Sequence, residues 1–284
     1  MAGEVNISDL LYPEMLRKKV PNPPEKIYFK GNYCPEIFQN CLAVVGSRKM
    51  SVYGVRVIEK IFSVLHKDIS IISGFMSGVD AESHRMAIKL GLKTIAVMPC
   101  GIDYIHPENQ TDLYEEILNN DGLILSEFEG DFKPKFWTYP KRNRIVAGLS
   151  RAVLVVEASK NSGSLITARM ANSYGRRVFV VPGSIFSNLS VGKTQISNEF
   201  AINIDSGFSI NEFFGFGSGT STYKNEKKSD FGNNVILETL KNDPMTMDEL
   251  SEYLSVDIST LNKEVTYLLM SGLVTESEGK LYAC

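Results

Sequence analysis

The chain has 284 residues, 43% of them hydrophobic and 22% charged, and a formal net charge of −3, the composition of a globular protein with a real core rather than of a disordered or fibrous chain. Its longest apolar runs, such as Ala152 to Val156 and Val178 to Val181, are far too short to span a bilayer, and no basic region followed by a long apolar stretch opens the chain, so neither a membrane span nor a secretion signal is expected. The cysteines (Cys34, Cys41, Cys100, Cys284) lie far apart with no C-x-x-C pair, which argues against a metal or disulfide framework and makes a reducing cytoplasm the expected home.

Residues 1–40 are punctuated by Pro13, Pro21, Pro23, Pro24 and Pro35 and read as an extended lead-in that packs on the domain behind it. Across 41–214, short β-branched runs alternate with helical patterns. Leu42 to Val45, Ile69 to Ile72, Thr94 to Met98, Leu123 to Leu125, Ala152 to Val156 and Val178 to Val181 read as strands. They are apolar throughout, as parallel strands covered on both faces should be. Tyr53 to His66, Ala81 to Leu90, Asp112 to Asn119 and Leu165 to Tyr174 carry helical periodicity between them. This βαβ rhythm predicts an α/β, doubly wound, mostly parallel sheet. Residues 215–230, rich in Gly, Ser, Thr and Lys, read as a flexible linker. In 231–284 three short amphipathic helices (Val235 to Leu240, Met247 to Leu254, Ser259 to Met270) precede two short strands, Leu273 to Thr275 and Lys280 to Ala283, a winged-helix pattern.

Charge is segregated along the chain. From Phe132 to Val156 there are six basic residues and no acidic one, whereas from Phe231 onward there are nine acidic residues and three basic. A duplex-reading winged helix needs several cations, and Lys263 stands almost alone on the would-be recognition helix. That small domain is therefore expected to meet protein, or nothing, rather than DNA.

In a doubly wound sheet, sites form beyond the carboxyl ends of the strands, so the residues after each strand carry the functional reading. Gly46-Ser47-Arg48-Lys49 follows the first core strand and leads into a helix whose N-terminus offers backbone N–H groups to a phosphate; Arg48 adds a bidentate donor. A plain tight turn with a solvated Arg explains it equally well. No G-x-G-x-x-G is present, and Ser73-Gly74 stands where an acidic residue would bind a ribose, so NAD is not expected. Asp80, opening the next helix, fits an N-cap, and His84 reads as a packing or hydrogen-bonding residue. Ser162-Gly163-Ser164 forms a second nest of donors, for which routine capping is an equal explanation.

The richest segment runs from Lys133 to Arg144. Lys135, Lys141, Arg142, Arg144 and the amide Asn143 interleave there with Phe136, Trp137 and Tyr139. Cations that follow phosphates and rings that stack unpaired bases are what single-stranded nucleic acid requires; a solvated basic face with inward-turned aromatics is the bland alternative. Gly192-Lys193-Thr194 looks like the end of a P-loop, but Ser187 occupies the position where that loop needs Gly, so an ATPase is excluded. Neither a G-x-S-x-G elbow nor an H-E-x-x-H pair appears. Catalysis, a metal and a cofactor are not expected.

Together AVVGSRKMSVYG, IISGFMSGVDAESH, YPKRNRIVAGLS, VVEASKNSGSLITA and GRRVFVVPGSIFS resemble, in order and spacing, the sequence blocks of the DNA-processing protein A (DprA/Smf) family, from about Leu11 to about Ser190. The resemblance implies an extended Rossmann-like fold that binds single-stranded DNA without catalysis. It further implies protection of incoming DNA in natural transformation, loading of the recombinase RecA, and a homodimer. By motif matching, Gly46, Ser47, Arg48, Lys49, Ser73, Gly74, Lys135, Phe136, Tyr139, Lys141, Arg142, Asn143 and Arg144 line the DNA pocket, with Ser162, Gly163 and Ser164 on its floor. The chain departs from the family at Gly192-Lys193-Thr194-Gln195-Ile196 and Glu199-Phe200-Ala201, and the helical domain common ahead of the core is missing or reduced. Two other readings remain: a phosphoribohydrolase-like nucleotide-processing relative, whose Pro-Gly-Gly-x-Gly-Thr loop is absent, and a domain sensing a free nucleotide, which would not need so long a basic and aromatic strip.

Overall fold

The computed structural model describes residues 2–217, 233–254, 256–277 and 279–283. The chain forms two compact units, Met1–Ser221 and Thr222–Cys284. In chain order the first contains β1 (Ala2–Asn6), α1 (Glu14–Lys19), β2 (Lys26–Gly31), β3 (Cys41–Val45), α2 (Val52–Phe62), β4 (Ser70–Ser73), α3 (Val79–Lys89), β5 (Thr94–Val97), α4 (Thr111–Asn119), β6 (Leu123–Ser126), α5 (Thr138–Leu149), β7 (Ala152–Val155), α6 (Gly163–Ser173), β8 (Arg177–Val180), α7 (Val191–Glu199), β9 (Ile202–Asn203) and α8 (Phe208–Phe214).

The strands make one nine-stranded sheet in the order β1-β2-β6-β5-β4-β3-β7-β8-β9. From β6 to β9 every pairing is parallel, and β1 and β2 extend the β6 edge in antiparallel fashion. Every residue of β3, β4, β5, β6 and β7 is buried, because alternate side chains point to opposite faces and both are covered. Ala43, Val45, Ile72, Val153 and Val155 pack with Leu16 of α1, Ile145 and Leu149 of α5 and Leu165 of α6. Their neighbours Leu42, Val44, Ile71 and Leu154 pack on the other face with Val57 and Ile61 of α2, Met86 of α3 and Phe214 of α8. The result is the α/β, Rossmann-like, doubly wound architecture predicted from the βαβ rhythm.

Differences are local. α2 ends at Phe62 rather than His66 because the Asn211 side chain from α8 takes both the Val64 carbonyl, at 2.7 Å, and the His66 N–H, at 2.9 Å. β1, β2 and β9 have no counterpart among the expected strands. β1 buries only Val5, and both residues of β9 are exposed, so neither carries an apolar run; β2 alternates Ile27 and Phe29 with polar residues.

The second unit holds α9 (Asn233–Asn242), α10 (Met247–Leu254), α11 (Ile258–Met270) and an antiparallel pair, β10 (Val274–Ser277) and β11 (Lys280–Ala283). Its own core gathers Ile236, Leu240, Leu250, Leu261, Val265, Leu268, Val274 and Leu281. Thr246 and Glu249 form a reciprocal capping box at the start of α10: the Glu249 N–H donates to Thr246 Oγ1 at 3.2 Å and the Thr246 N–H to Glu249 Oε2 at 2.8 Å. The expected linker falls, from residue 218 on, outside the described residues, as does the side chain of Lys263.

Candidate nucleic-acid interface

From β3 the chain winds one way through β4, β5 and β6 and then returns to place β7, β8 and β9 on the other side. The loops beyond β3 and β7 therefore diverge, which is where an open α/β sheet forms its binding crevice. A cavity of about 470 Å³ lies there, lined by Gly46 to Lys49, Gly74, Met76, Asp80, Tyr139, Arg142, Asn143, Val146 and the start of α6.

The loop ahead of α2 is fixed from below. The Val79 N–H donates to the Ser47 carbonyl at 3.1 Å, and Gly78 has φ +82°, with any Cβ there only 2.3 Å from the Ser47 carbonyl oxygen. Only glycine accepts both that dihedral and that approach. Arg48 is thereby held with its guanidinium over the Tyr139 ring, 5.2 Å from the centroid. Tyr139 Oη sits 2.9 Å from Nε2 of His106. Burial and the Arg48 charge push His106 below its ordinary pKa, which favours a neutral ring whose Nε2 accepts a hydrogen bond from the Tyr139 hydroxyl. No carboxylate lies within ion-pair distance of Arg48 among the described residues, which leaves this cation for a ligand.

Arg142, only 5% exposed, donates from Nη1 to the Val97 carbonyl at 2.7 Å. Asp80 lies half-buried nearby, its Oδ2 accepting from the Met76 N–H at 3.3 Å. Burial raises the Asp80 pKa, and the Arg142 charge opposes the shift; burial likewise lowers Arg142 against the pull of Asp80. Asp80 is thus not the N-cap expected from the sequence. Gly78 occupies that position, and the carboxylate turns back into the floor of the crevice. Gly74 separates the two charges: a Cβ there would lie 1.9 Å from Arg142 Nη1 and 2.4 Å from Asp80 Oδ2. Its carbonyl accepts from Nε2 of the fully buried His84 at 2.7 Å, whose Nδ1 meets Thr94 Oγ1 at 2.7 Å. His84 is therefore the hydrogen-bonding residue that its isolation in the sequence suggested.

α5 starts at Thr138, with Pro140 tolerated in the first turn. Tyr139, Arg142, Asn143 and Val146 consequently fall on one helical stripe facing the crevice. Lys141 and Arg144 fall on another, where Glu127 Oε1 takes both at 3.1 and 2.5 Å. Trp137 packs on Phe128 and Phe132 with centroids 5.7 and 6.1 Å away, and Lys141 lies over Phe128 and Trp137. Lys135 lies over Phe132, and Phe136 projects outward at 97% exposure.

α6 completes the crevice. Ser162 is its N-cap, its Oγ accepting from the Ser164 N–H at 3.4 Å and lying 2.7 Å from Ser164 Oγ. Leu165 N–H donates to the Ser162 carbonyl at 3.0 Å, so that among the described residues the Gly163 N–H is the one left open at the positive end of the helix dipole. Of the sequence candidates, Gly46, Ser47, Arg48, Lys49, Gly74, Tyr139, Arg142, Asn143, Ser162, Gly163 and Ser164 line one cavity. Lys135, Phe136, Lys141 and Arg144 lie outside it, and Ser73 is buried behind, donating to the Val44 carbonyl at 2.6 Å. Met76, Ser159, Ile166 and Thr167 line the cavity without having been anticipated. Only Thr167 carried a signal, one turn along α6 from Gly163 and Ser164. Among the described residues no group of three or more His, Cys, Asp or Glu could hold a metal, and no helix is long and apolar enough to cross a membrane.

Sheet and site together define an α/β protein of the extended Rossmann-like class with a cationic, hydroxyl-lined crevice at its switch point. The chain belongs to the DNA recombination-mediator protein A family, whose model matches residues 4–215. The DNA processing protein DprA of Streptococcus pneumoniae is 39% identical over 211 residues, which are 74% of each chain; its crystal structure matches with a TM-score of 0.70 at 37% identity, again over 74% of each. DNA processing protein A of Helicobacter pylori, solved with attention to its single-stranded DNA binding mode, matches with a TM-score of 0.64 at 29% identity, over 75% of this chain and 94% of that one. Protein Smf of a Synechocystis strain is 41% identical over 61% of this chain, which spans 44% of that relative.

Proposed function

We propose that this chain binds single-stranded DNA in the β3/β7 crevice, performs no catalysis on it, and holds it for a recombinase. The observation that carries the reading is the α5 stripe of Tyr139, Arg142 and Asn143 facing Arg48 and the first turn of α6. Arg48 and the Gly163 N–H at the start of α6 suit phosphate oxygens, Tyr139 offers a ring to a base, and Asn143 offers an amide to a base edge. Relatedness to DNA processing protein A of Helicobacter pylori supports the choice of a single strand. Family membership supports the wider role: a cytoplasmic homodimer that protects incoming DNA in natural transformation and helps load RecA.

Fluorescence anisotropy of labelled oligothymidine, beside a duplex of equal length and free AMP, tests the reading across a salt series. The expected result is preference for the single strand, affinity falling steeply with salt, and a loss of about tenfold in Arg48→Ala, as for one charge-assisted contact. Binding of AMP with no binding of the strand would overturn it in favour of a nucleotide site.

A further inference from the structure

A second cavity, of about 410 Å³, lies beyond the carboxyl end of β8, lined by Pro182, Gly183, Ser190, Lys193, Thr194 and Asn203. Lys193 is 3% exposed. Among the described residues its ammonium has neither a hydrogen-bond acceptor nor a carboxylate within 4.0 Å. Its neighbours are the Tyr53 ring, 5.8 Å from Nζ to centroid, and Gly183, where even a Cβ would lie 3.0 Å from Nζ. The anion that acts on it is the buried Glu157, whose Oε2 accepts the Ser51 N–H at 2.9 Å and whose Oε1 accepts the Ser51 hydroxyl. Burial drives the amine down to about 8, with Glu157 opposing. Ser190, also buried, makes no side-chain hydrogen bond among the described residues, and its Oγ borders the same space.

An unpaired buried ammonium is unfavourable unless something supplies its counter-charge. Among the described residues no side chain pairs with it, Glu157 acting only from beyond ion-pair distance, and the group faces a cavity rather than solid packing. That combination suits a compact anion with several acceptor oxygens. We propose that Lys193 and Ser190 form a phosphate subsite next to the DNA crevice. Leu189 lines the crevice and Ser190, the next residue, lines this cavity, so a strand leaving the crevice across this turn brings a phosphate to Lys193. The identity of the anion as a DNA phosphate rests on the crevice reading; the existence of an anion site does not.

The full chain is compared with Lys193→Met, which keeps the bulk and removes the charge, and with Lys193→Gln as a second neutral variant. Inorganic phosphate, against chloride at matched ionic strength, is expected to raise the Tm of the parent chain by more than that of either variant, in which only the crevice is left to bind it. Oligothymidine with a 5′-phosphate and with a 5′-hydroxyl is then titrated over a salt series. Both variants are expected to bind about fivefold more weakly, with the log–log salt slope shallower by about 0.7, the mark of one lost single-strand phosphate contact. A loss confined to the 5′-phosphorylated oligomer assigns the subsite to a strand end, and an equal loss for both oligomers assigns it to an internal phosphodiester. If the parent chain binds no oligomer, the crevice reading fails and the phosphate-dependent Tm alone decides on Lys193. Variants that show the full phosphate-induced rise of the parent, or that keep both the oligomer affinity and the slope of the parent, overturn the proposal.

Discussion

At Gly74 a single hydrogen atom in place of a side chain lets Arg142 and Asp80 share the crevice floor. A methyl group at that position would have to displace a guanidinium or a carboxylate that is held by the Val97 carbonyl or the Met76 N–H. Gly74→Ala is therefore expected to destabilise the fold by about 3 kcal/mol, the cost of leaving a buried charge uncompensated. It should also weaken oligothymidine binding, and denaturant unfolding with anisotropy checks both; an unchanged midpoint would mean that the floor relaxes freely. His84 holds the same loop from behind and is sensitive to acid. Burial lowers its pKa to about 4 from an ordinary 6.5, so the folded state resists a proton that the unfolded chain accepts. Stability present above pH 6.5 is lost as pH falls toward 4, at up to about 1.4 kcal/mol per pH unit for one proton. His84→Gln keeps a donor for the Gly74 carbonyl and does not titrate. Its urea midpoint should fall less steeply than the parent's over that window, and parallel curves would show that His84 plays no part.

The two stripes of α5 set different jobs on one helix. Tyr139→Ala and Asn143→Ala change the crevice face, and Tyr139→Ala is expected to lower strand affinity by about tenfold, the weight of one stacked base. Arg144, 12% exposed and bound to Glu127, is expected on truncation to lower Tm while leaving the salt slope unaltered. Measuring both quantities for all three variants separates binding from stability, and a shallower slope in Arg144→Ala would put that residue back on the DNA. This division also marks how far the sequence could be read. The parallel core was legible because β3 to β8 are short, mostly apolar runs, and the loops beyond β3 and β7 were legible because Gly46-Ser47-Arg48 and Ser162-Gly163-Ser164 lie between such a run and the helix that follows it. The faces of α5 were not. They depend on where the helix begins, and Pro140 hides a start at Thr138 by sitting inside the first turn. Without that phase, Lys141, Arg142 and Arg144 look alike, although one lies in the crevice and two meet Glu127. Asp80 was misjudged for a related reason: an acidic residue near a helix start fits an N-cap, and nothing local announces the arginine that reaches it from another element.

The whole molecule divides its charge between two cores. The crevice, the switch point and the family match all lie within residues 4–215, whereas 231–284 carries nine acidic residues against three basic ones. The second unit closes its own core around Leu250, Leu261, Val265 and Leu268, so it can fold without help from the sheet. An acidic surface repels a phosphate backbone over roughly a Debye length, about 10 Å at 0.1 M salt, and tight duplex binding needs several cations along the reading element. A chain ending at residue 217 is accordingly expected to hold oligothymidine as tightly as the full chain, or slightly more tightly at low salt, where removing negative charge matters most. Residues 231–284 alone should show no salt-sensitive binding to duplex DNA. Anisotropy on the two fragments and the full chain at low and at physiological salt checks both expectations. Strong duplex binding by the small unit would reassign it to DNA. Silence toward duplex, with strand affinity unchanged in the truncated chain, would leave its exposed acidic side chains for a protein partner, and basic partner surfaces would be the ones to screen.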